Sequence, residues 1–416
     1  MPTEVTPSPS SASTEAGRAL DDVVVLDLTR DFWSGVGAAL LADFGAQVIR
    51  IETTGSRDRE ADGRGGGPRA GARDHLSDLA HRNKLSLDLA TETATGRQIL
   101  DRMIEKATVL VIDGTPGEIE ALGFPEAELQ ERRPGLIVAR GTGFGPLGPD
   151  RDFPPLDELA AARTGMMPLL PQPGQPPIYS GAGEMYSALM LAFGVTLALH
   201  HRDETGEGQI VDASLLAGNM YGASLDLQAF LAIGGEQLLH PMDLMDTGNP
   251  MSGTMYAAED GRWVTLTMPD TDRWWPEFSE VMGIDPVDPR FDTHAKRCEQ
   301  NGDVLIDCLQ DRFRQQPADH WRRIFDEKKL SADIVEEFTY PANDPQALRN
   351  QYILDLDDSD RGRHQSLGFP IVMSESPARL DRSAPTIGQD SVRVLNDLLG
   401  LSKQEIQQLV ADGYVS

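Results

Sequence analysis

The sequence VVVLDLTRDFWSGVGAALLADFGAQVIRIE occupies residues 23–52 and decides the fold. It opens with the apolar run 23–26, which an aspartate closes and which is typical of a buried β-strand. Residues 35–44 favour a helix that Gly45 ends, and residues 47–51 are predicted to form a second strand. Strand, helix and strand in so short a stretch predict a βαβ unit, and therefore a parallel sheet with helices on its faces.

The loop between the first strand and the helix is the expected ligand-binding edge. In open parallel sheets, ligands bind beyond the carboxyl ends of the strands, where the chain enters a helix. Here that loop is residues 29–34, TRDFWS, which includes Arg30 and Trp33. It does not have the GxGxxG pattern, so the dinucleotide-binding fingerprint is absent.

Composition and charge narrow the class of protein. The 416 residues include 66 Asp and Glu against 37 Lys and Arg, a formal charge of −29. Nucleic acids and anionic membranes bind basic surfaces, so we expect neither as a partner. Two cysteines, Cys298 and Cys308, are too few for a disulfide framework and fit a reducing cytoplasm. No apolar run is long enough to cross a bilayer, and no metal site is predicted.

Several segments together resemble one family. They are LDLTR at 26–30, LLADFGAQVIRIE at 40–52, HRNKLSLDL at 81–89, GTGFGPLGP at 141–149 and HHRDETGEGQIVDASL at 200–215. They are similar to the family III CoA-transferases, which include formyl-CoA transferase, carnitine CoA-transferase, benzylsuccinate CoA-transferase and the α-methylacyl-CoA racemases. The resemblance runs from about residue 21 to the C-terminus.

The resemblance implies a domain organisation. We expect an α/β fold: a Rossmann-like, parallel-sheet domain that binds CoA, built from residues 21–230 and 335–416, and a smaller α+β domain at 231–334. Alternation around Asp260-Gly261 independently predicts a β-hairpin in the smaller domain. Residues 1–20 are expected to form a disordered tail. The family's dimer is interlocked, and we carry that expectation over.

Glu184 is the candidate nucleophile. The family's nucleophile is an aspartate after a glycine, at the start of a long helix whose apolar residues, including Leu189, Phe193 and Leu197, are available for the core. Counting back from Gln209 places Glu184 at that position. A carboxylate there attacks an acyl-CoA thioester, forms a mixed anhydride and then an enzyme–CoA thioester. The alternative is that Glu184 is a helix-start carboxylate favoured by the helix dipole.

Candidate contacts for CoA also follow from the resemblance. Asn83 and Lys84 match the family's NRNK motif, and an ammonium such as that of Lys84 suits a diphosphate. Arg30 and Trp33 lie in the loop at the sheet edge, and Arg57 lies in a Gly- and Arg-rich segment that follows the second strand. CoA and its thioesters are expected as substrates, with no tightly bound cofactor.

Departures from the family leave three hypotheses. Trp33 aligns with a small residue that lies beside the thioester, and Thr115 and Ala121 align with frequent arginines. The chain is therefore either an active CoA-transferase, acting on an acyl-CoA such as succinyl-CoA and a carboxylic acid, or a non-catalytic subunit of a heteromeric enzyme. Its partner is an identical chain or a homologous one, in a dimer or heterotetramer. A racemase or isomerase is disfavoured, because Leu156 replaces the racemases' histidine and cannot act as a base.

Overall fold

The structure is a computed structural model that describes residues 17–52, 75–123, 129, 131–234, 239, 243, 248–358 and 362–416. The chain divides into two compact units. The first comprises residues 1–165, 179–228 and 351–416, and the second comprises residues 166–178 and 229–350. The main segment of the second unit, residues 229–350, thus starts close to residue 231 and extends past residue 334, the two predicted bounds of the smaller domain. The unit also includes the earlier segment 166–178.

A six-stranded parallel sheet forms the centre of the first unit. Its strands lie in the order β3-β2-β1-β4-β5-β6 and are all parallel. Their bounds are β1 (Val24–Asp27), β2 (Gln47–Glu52), β3 (Leu85–Asp88), β4 (Val109–Asp113), β5 (Ile137–Thr142) and β6 (Ile210–Ser214). This is the strand order of the doubly wound Rossmann fold, so the predicted α/β class and the βαβ unit are confirmed.

The remaining strands form two antiparallel sheets. In the second unit, β7 (Ser252–Ala257), β8 (Trp263–Thr267) and β9 (Ala332–Val335) pair in sequence order. The turn between β7 and β8 contains Gly261 at φ +81°, a left-handed conformation that glycine adopts readily. The predicted hairpin is therefore confirmed. In the first unit, β10 (Ile353–Asp358) pairs with β11 (Gly362–Leu367).

Helices cover both faces of the parallel sheet in the first unit, and the second unit has helices of its own. The helices of the two units are α1 (Phe32–Asp43), α2 (His75–His81), α3 (Ala94–Ile104), α4 (Pro116–Ala121), α5 (Asp157–Ala161), α6 (Gly183–Thr205), α7 (Leu215–Gly222), α8 (Ser224–Ile233), α9 (Thr271–Met282), α10 (Gly302–Phe313), α11 (Ala318–Lys328), α12 (Pro345–Arg349), α13 (Ser391–Leu399) and α14 (Lys403–Ala411). A five-residue π-helix, Lys296–Gln300, precedes α10. No helix within these described ranges is long and apolar enough to cross a membrane.

Two apolar cores flank the sheet, because successive side chains of a strand point to opposite faces. On one face, Leu26 and Ile49 pack in a buried cluster with residues of α3, α13 and α14. On the other face, Val25 and Val48 pack with residues of α1 and α6. Strands buried on both faces read as continuous apolar runs, which explains the unbroken pattern of β1. This three-layer arrangement places the start of α1 at the carboxyl edge of the sheet.

Candidate active site

The strand order reverses between β1 and β4, and this is where ligands bind in doubly wound folds. The amino end of α1 lies there, and the Asp113 carboxylate at the end of β4 occupies it. Asp113 accepts the backbone N–H groups of Arg30 at 2.9 Å and Asp31 at 2.8 Å, and also the hydroxyl of Ser34. A helix amino end attracts anions, but this one already has a carboxylate from its own chain. The backbone N–H groups that a GxGxxG loop would offer to a dinucleotide are bound here by Asp113, in agreement with the absence of that pattern.

The Asp113 carboxyl is electrostatically unusual. Burial, together with the neighbouring charge of Asp31, raises the pKa of Asp113 from its ordinary value of 3.8 to about 7. The backbone donors and the Ser34 hydroxyl oppose this rise because they favour the charged form. Asp113 is therefore a buried carboxyl that changes charge near neutral pH.

Trp33 lies in the core. Its side chain has no exposed surface and belongs to the apolar cluster between α1 and the sheet. The indole packs on Gly141 of β5 so closely that a Cβ at that position would lie 2.9 Å from it. A fully buried indole of this kind does not lie in an open channel, so the geometry does not support the CoA contact predicted for Trp33. The backbone of Arg30, by contrast, is fixed by Asp113, and its side chain is only partly buried.

Lys84 is also buried rather than exposed to a ligand. Its Nζ donates to Asp27 Oδ2 at 2.6 Å and to the Gly35 carbonyl at 2.8 Å, and lies 3.4 Å from His81 Nδ1. Burial lowers the pKa of Lys84, an effect that the Asp27 carboxylate opposes. All three N–H groups of the ammonium thus have neighbours inside the protein. The geometry does not support the phosphate contact predicted for Lys84.

Asn83 connects distant parts of the first unit. It has a left-handed backbone, with φ +63°. Its Nδ2 donates to Asp43 Oδ1 and the Arg379 carbonyl, each at 2.7 Å. Its Oδ1 accepts the N–H groups of Asp381 at 2.8 Å and Arg382 at 3.1 Å. This amide has used its hydrogen-bonding capacity within the chain, so the geometry does not favour the predicted contact with CoA. Arg57 lies outside the described residues.

Glu184 lies in the first turn of α6 and is partly buried. The preceding residue, Gly183, is buried, and its carbonyl accepts the Ser187 hydroxyl at 2.9 Å. The start of α6 also packs closely on α7, where a Cβ at Gly218 would overlap Ser187. The nucleophile candidate therefore follows a backbone that its neighbours hold in place.

Two residues that the sequence did not single out as site residues, Asp157 and Asn219, pack against Gly183, and a third, Tyr179, binds Asp157. The Asp157 carboxylate accepts the Tyr179 hydroxyl at 2.5 Å through Oδ2 and the Asn219 side-chain amide at 2.7 Å through Oδ1. A Cβ at position 183 would overlap both Asp157 and Asn219, which explains the glycine there. No local pattern links these residues, since they come from α5, α7 and the loop before α6.

A cavity of about 360 Å³ opens beside the start of α6. Met185, the residue after Glu184, lines it together with Val36 and Leu40 of α1 and with Tyr352 and Phe369. Its walls are mostly apolar, and its volume is in the range of small-molecule sites. The Arg82–Asp43 ion pair, with an N–O distance of 2.7 Å, also borders the cavity. Glu184 thus lies at the helix start that forms one wall of a pocket within the first unit.

The family model of CoA-transferase family III matches residues 20–391. The chain belongs to CoA-transferase family III, and the resemblance read from the sequence is confirmed. It is an enzyme of the CoA-transferase class.

Individual relatives match over most of their lengths. A succinyl-CoA–D-citramalate CoA-transferase of Chloroflexus aurantiacus is 29% identical, over 95% of this chain and 97% of that protein. A formyl-CoA:oxalate CoA-transferase of Rhodopseudomonas palustris is 28% identical, over 95% of this chain and 97% of that protein. A crystal structure of a CaiB/BaiF family protein from Brucella suis has a TM-score of 0.79 at 23% identity, over 92% of this chain and all of that one. This structural likeness shows a shared fold.

Proposed function

We propose that this enzyme moves CoA from an acyl-CoA such as succinyl-CoA to a carboxylic acid, with Glu184 as its covalent nucleophile. The observation that carries the proposal is the position of Glu184 in the first turn of α6, beside the apolar cavity that Met185 lines. The name of the Chloroflexus relative, a succinyl-CoA-dependent transferase at 29% identity, supports the acyl donor.

The proposed chemistry proceeds through two kinds of intermediate. The Glu184 carboxylate attacks the thioester carbonyl, the C–S bond breaks, and CoA leaves as a thiolate, so that a mixed anhydride joins the acyl group to Glu184. The thiolate then attacks the Glu184 carbonyl, which releases the donor acid and leaves CoA on Glu184 as a thioester. The acceptor carboxylate repeats these steps in reverse, so that CoA ends on the acceptor and Glu184 is regenerated.

Arginines are the better candidates for the anionic groups of CoA, which binds as a substrate in this proposal. Arg30 has a backbone fixed by Asp113 and a partly exposed side chain at the carboxyl edge of the sheet. Arg57, outside the described residues, keeps the role predicted from the sequence. A guanidinium pairs with phosphate oxygens in a bidentate manner, which suits the diphosphate of CoA.

A partner chain is also part of the proposal. On α6, Leu189, Phe193 and Leu197 form an apolar stripe at four-residue spacing and are 43%, 63% and 54% exposed. Apolar side chains that recur every four residues share one face of a helix. We propose that a second copy, or a homologous subunit, covers this stripe in the interlocked dimer implied by the family. Light scattering of the parent and of Phe193→Glu tests this, since the substitution should favour the monomer.

The test of the nucleophile uses the purified chain alone. Incubation with succinyl-CoA should give an adduct that adds the mass of CoA less one water, and peptide mapping should place it on Glu184. Glu184→Gln should form no adduct and lose transfer activity, whereas Glu204→Gln, an exposed glutamate at the far end of α6, should behave like the parent. Full activity of Glu184→Gln would contradict the assignment. Activity that arises only on co-expression with a homologous chain would instead support the non-catalytic subunit.

A further inference from the structure

The side chain of Asp157 is a buried carboxyl next to Gly183, the residue that precedes the proposed nucleophile. Asp157 is 4% exposed, and its two oxygens accept hydrogen bonds from different elements. The Tyr179 hydroxyl, from the loop before α6, reaches Oδ2, and the Asn219 amide of α7 reaches Oδ1. Hydrogen bonds to a charged acceptor are stronger than neutral ones. These three residues, which we name the Asp157 cluster, therefore join α5, α7 and the loop before α6.

The Asp157 cluster closes on the residue that precedes Glu184. The Cα of Gly183 lies against Asp157 and Asn219 with no room for a Cβ. On its other side, the Gly183 carbonyl accepts the Ser187 hydroxyl, and that hydroxyl also lies 3.2 Å from the Ser214 carbonyl at the end of β6. The backbone at Gly183 is thus restrained on both sides.

Tyr179 is the exposed member of the Asp157 cluster and lies near the nucleophile itself. Tyr179 is 38% exposed, so it does not belong to the apolar core. Burial and the hydrogen bond to Asp157 raise the pKa of Tyr179, and the Glu184 charge contributes in the same direction. The phenol therefore stays protonated and lies within electrostatic reach of Glu184.

We propose that Tyr179, Asp157 and Asn219 are positioning residues that set the place from which Glu184 attacks the thioester. This inference rests on the proposed function. A glutamate has one more rotatable bond than the aspartate usual in the family, so its reach depends more strongly on where its backbone is held. A displacement of about 1 Å can cost roughly 100-fold in rate, and the hydrogen bond from Tyr179 to Asp157 opposes that displacement.

Tyr179→Phe is the direct test, because it removes only the hydroxyl. We expect kcat to fall roughly 10- to 100-fold, with a KM for succinyl-CoA within about threefold of the parent and only the small fall in melting temperature that follows from one lost hydrogen bond. The adduct on Glu184 should form more slowly in a single turnover but reach the same final extent. Asp157→Asn, which keeps the shape of the side chain, should show the same split between kcat and KM. Tyr221→Phe, at a tyrosine that is 71% exposed on α7, is the matched control and should match the parent.

The outcomes separate the two proposals. If the parent and Tyr179→Phe form the adduct at the same rate, the positioning role of the Asp157 cluster is overturned, while Glu184 remains the proposed nucleophile. A Tyr179→Phe protein with a lower melting temperature and an unchanged kcat also overturns it, since that result assigns the hydroxyl to stability. A parent that transfers CoA without an adduct on Glu184 overturns the proposed nucleophile, and the Asp157 cluster with it.

Discussion

Lys84 Nζ lies 2.6 Å from Asp27 Oδ2, and neither side chain has any exposed surface. Burial favours the neutral form of Asp27, but the Lys84 ammonium, the Thr29 hydroxyl and His81 together hold the pKa of Asp27 below its usual value. Thr29 adds two hydrogen bonds to the same carboxylate through its backbone N–H and its hydroxyl. The pair therefore connects the end of β1 with the chain entering β3, beneath the first turn of α1.

The substitution Lys84→Met should destabilise the protein strongly. It leaves the Asp27 carboxylate buried without its cation, and breaking a buried pair in this way costs about 3–5 kcal/mol. Urea denaturation followed by circular dichroism measures the loss, with the exposed Lys106 changed to Met as the control. If Lys84→Met keeps its stability and instead raises the KM for succinyl-CoA, the phosphate contact predicted from the sequence is right and the structural role is wrong.

Asn83→Gly should loosen the segment around residues 379–382. Glycine keeps the left-handed backbone at no steric cost, so the variant isolates the four hydrogen bonds of the side-chain amide. These bonds are part-buried or exposed, and a hydrogen bond of this kind contributes about 0.5–1.5 kcal/mol to stability. Hydrogen exchange should show faster exchange of the Asp381 and Arg382 amides. Unchanged protection of these two amides would show that the Asn83 side chain does not hold this segment in place.

The two substitutions show where sequence reasoning stops. The βαβ unit of residues 23–52 is predictable because its signals are local: an apolar run, a helix-forming segment and Gly45 at φ +115°. The partners of Lys84 and Asn83 lie up to 299 residues away along the chain. A family motif identifies these two residues as important, but it does not say whether they contact a ligand or the protein. Only the coordinates show that both side chains point into the first unit.

Local sequence patterns also do not show how α6 packs or how the residues around Glu184 come together. The helix is predicted, but its residues Leu189, Phe193 and Leu197 are exposed rather than part of the core. A uniformly apolar helix does not show from its sequence which face packs on the sheet and which is left open. The position of Glu184 comes from the spacing to Gln209, whereas the contact of Tyr179 with Asp157 depends on how three separate elements meet.

Asp113 should make stability depend on pH. Its folded-state pKa of about 7 lies above the ordinary value of 3.8, so folding takes up a proton between these values. The stabilisation is complete below about pH 4 and is lost as the pH rises through 7, with a total of the order of a few kcal/mol. Asp113→Asn lacks this titration. The unfolding free energy of the parent, measured relative to that of the variant, should therefore fall as the pH rises from 5 to 8. A difference that stays constant over this range would show that Asp113 is already charged at pH 5.

Glu184→Asp should lower the rate even though it restores the residue usual in the family. The shorter side chain withdraws the attacking oxygen by about one methylene from a backbone held at Gly183, and a displacement of this size can cost roughly 100-fold. Single-turnover kinetics with succinyl-CoA measure the step directly. Activity equal to or above that of the parent would show that the site still fits aspartate, and that the surrounding residues have not adapted to glutamate.

Gly183→Ala tests the packing under the nucleophile. The new methyl group would overlap the side chains of Asn219 and Asp157, so α6 must shift or the hydrogen bonds around Asp157 must break. Overpacking of this kind costs about 1–3 kcal/mol, and the shift should reduce adduct formation on Glu184 by more than the change in stability explains. Gly302→Ala is the control, because a Cβ there has no neighbour closer than 3.6 Å. A Gly183→Ala protein with the stability and the adduct rate of the parent would show that a methyl group fits at this position, and that Asp157 and Asn219 do not restrain the backbone before Glu184.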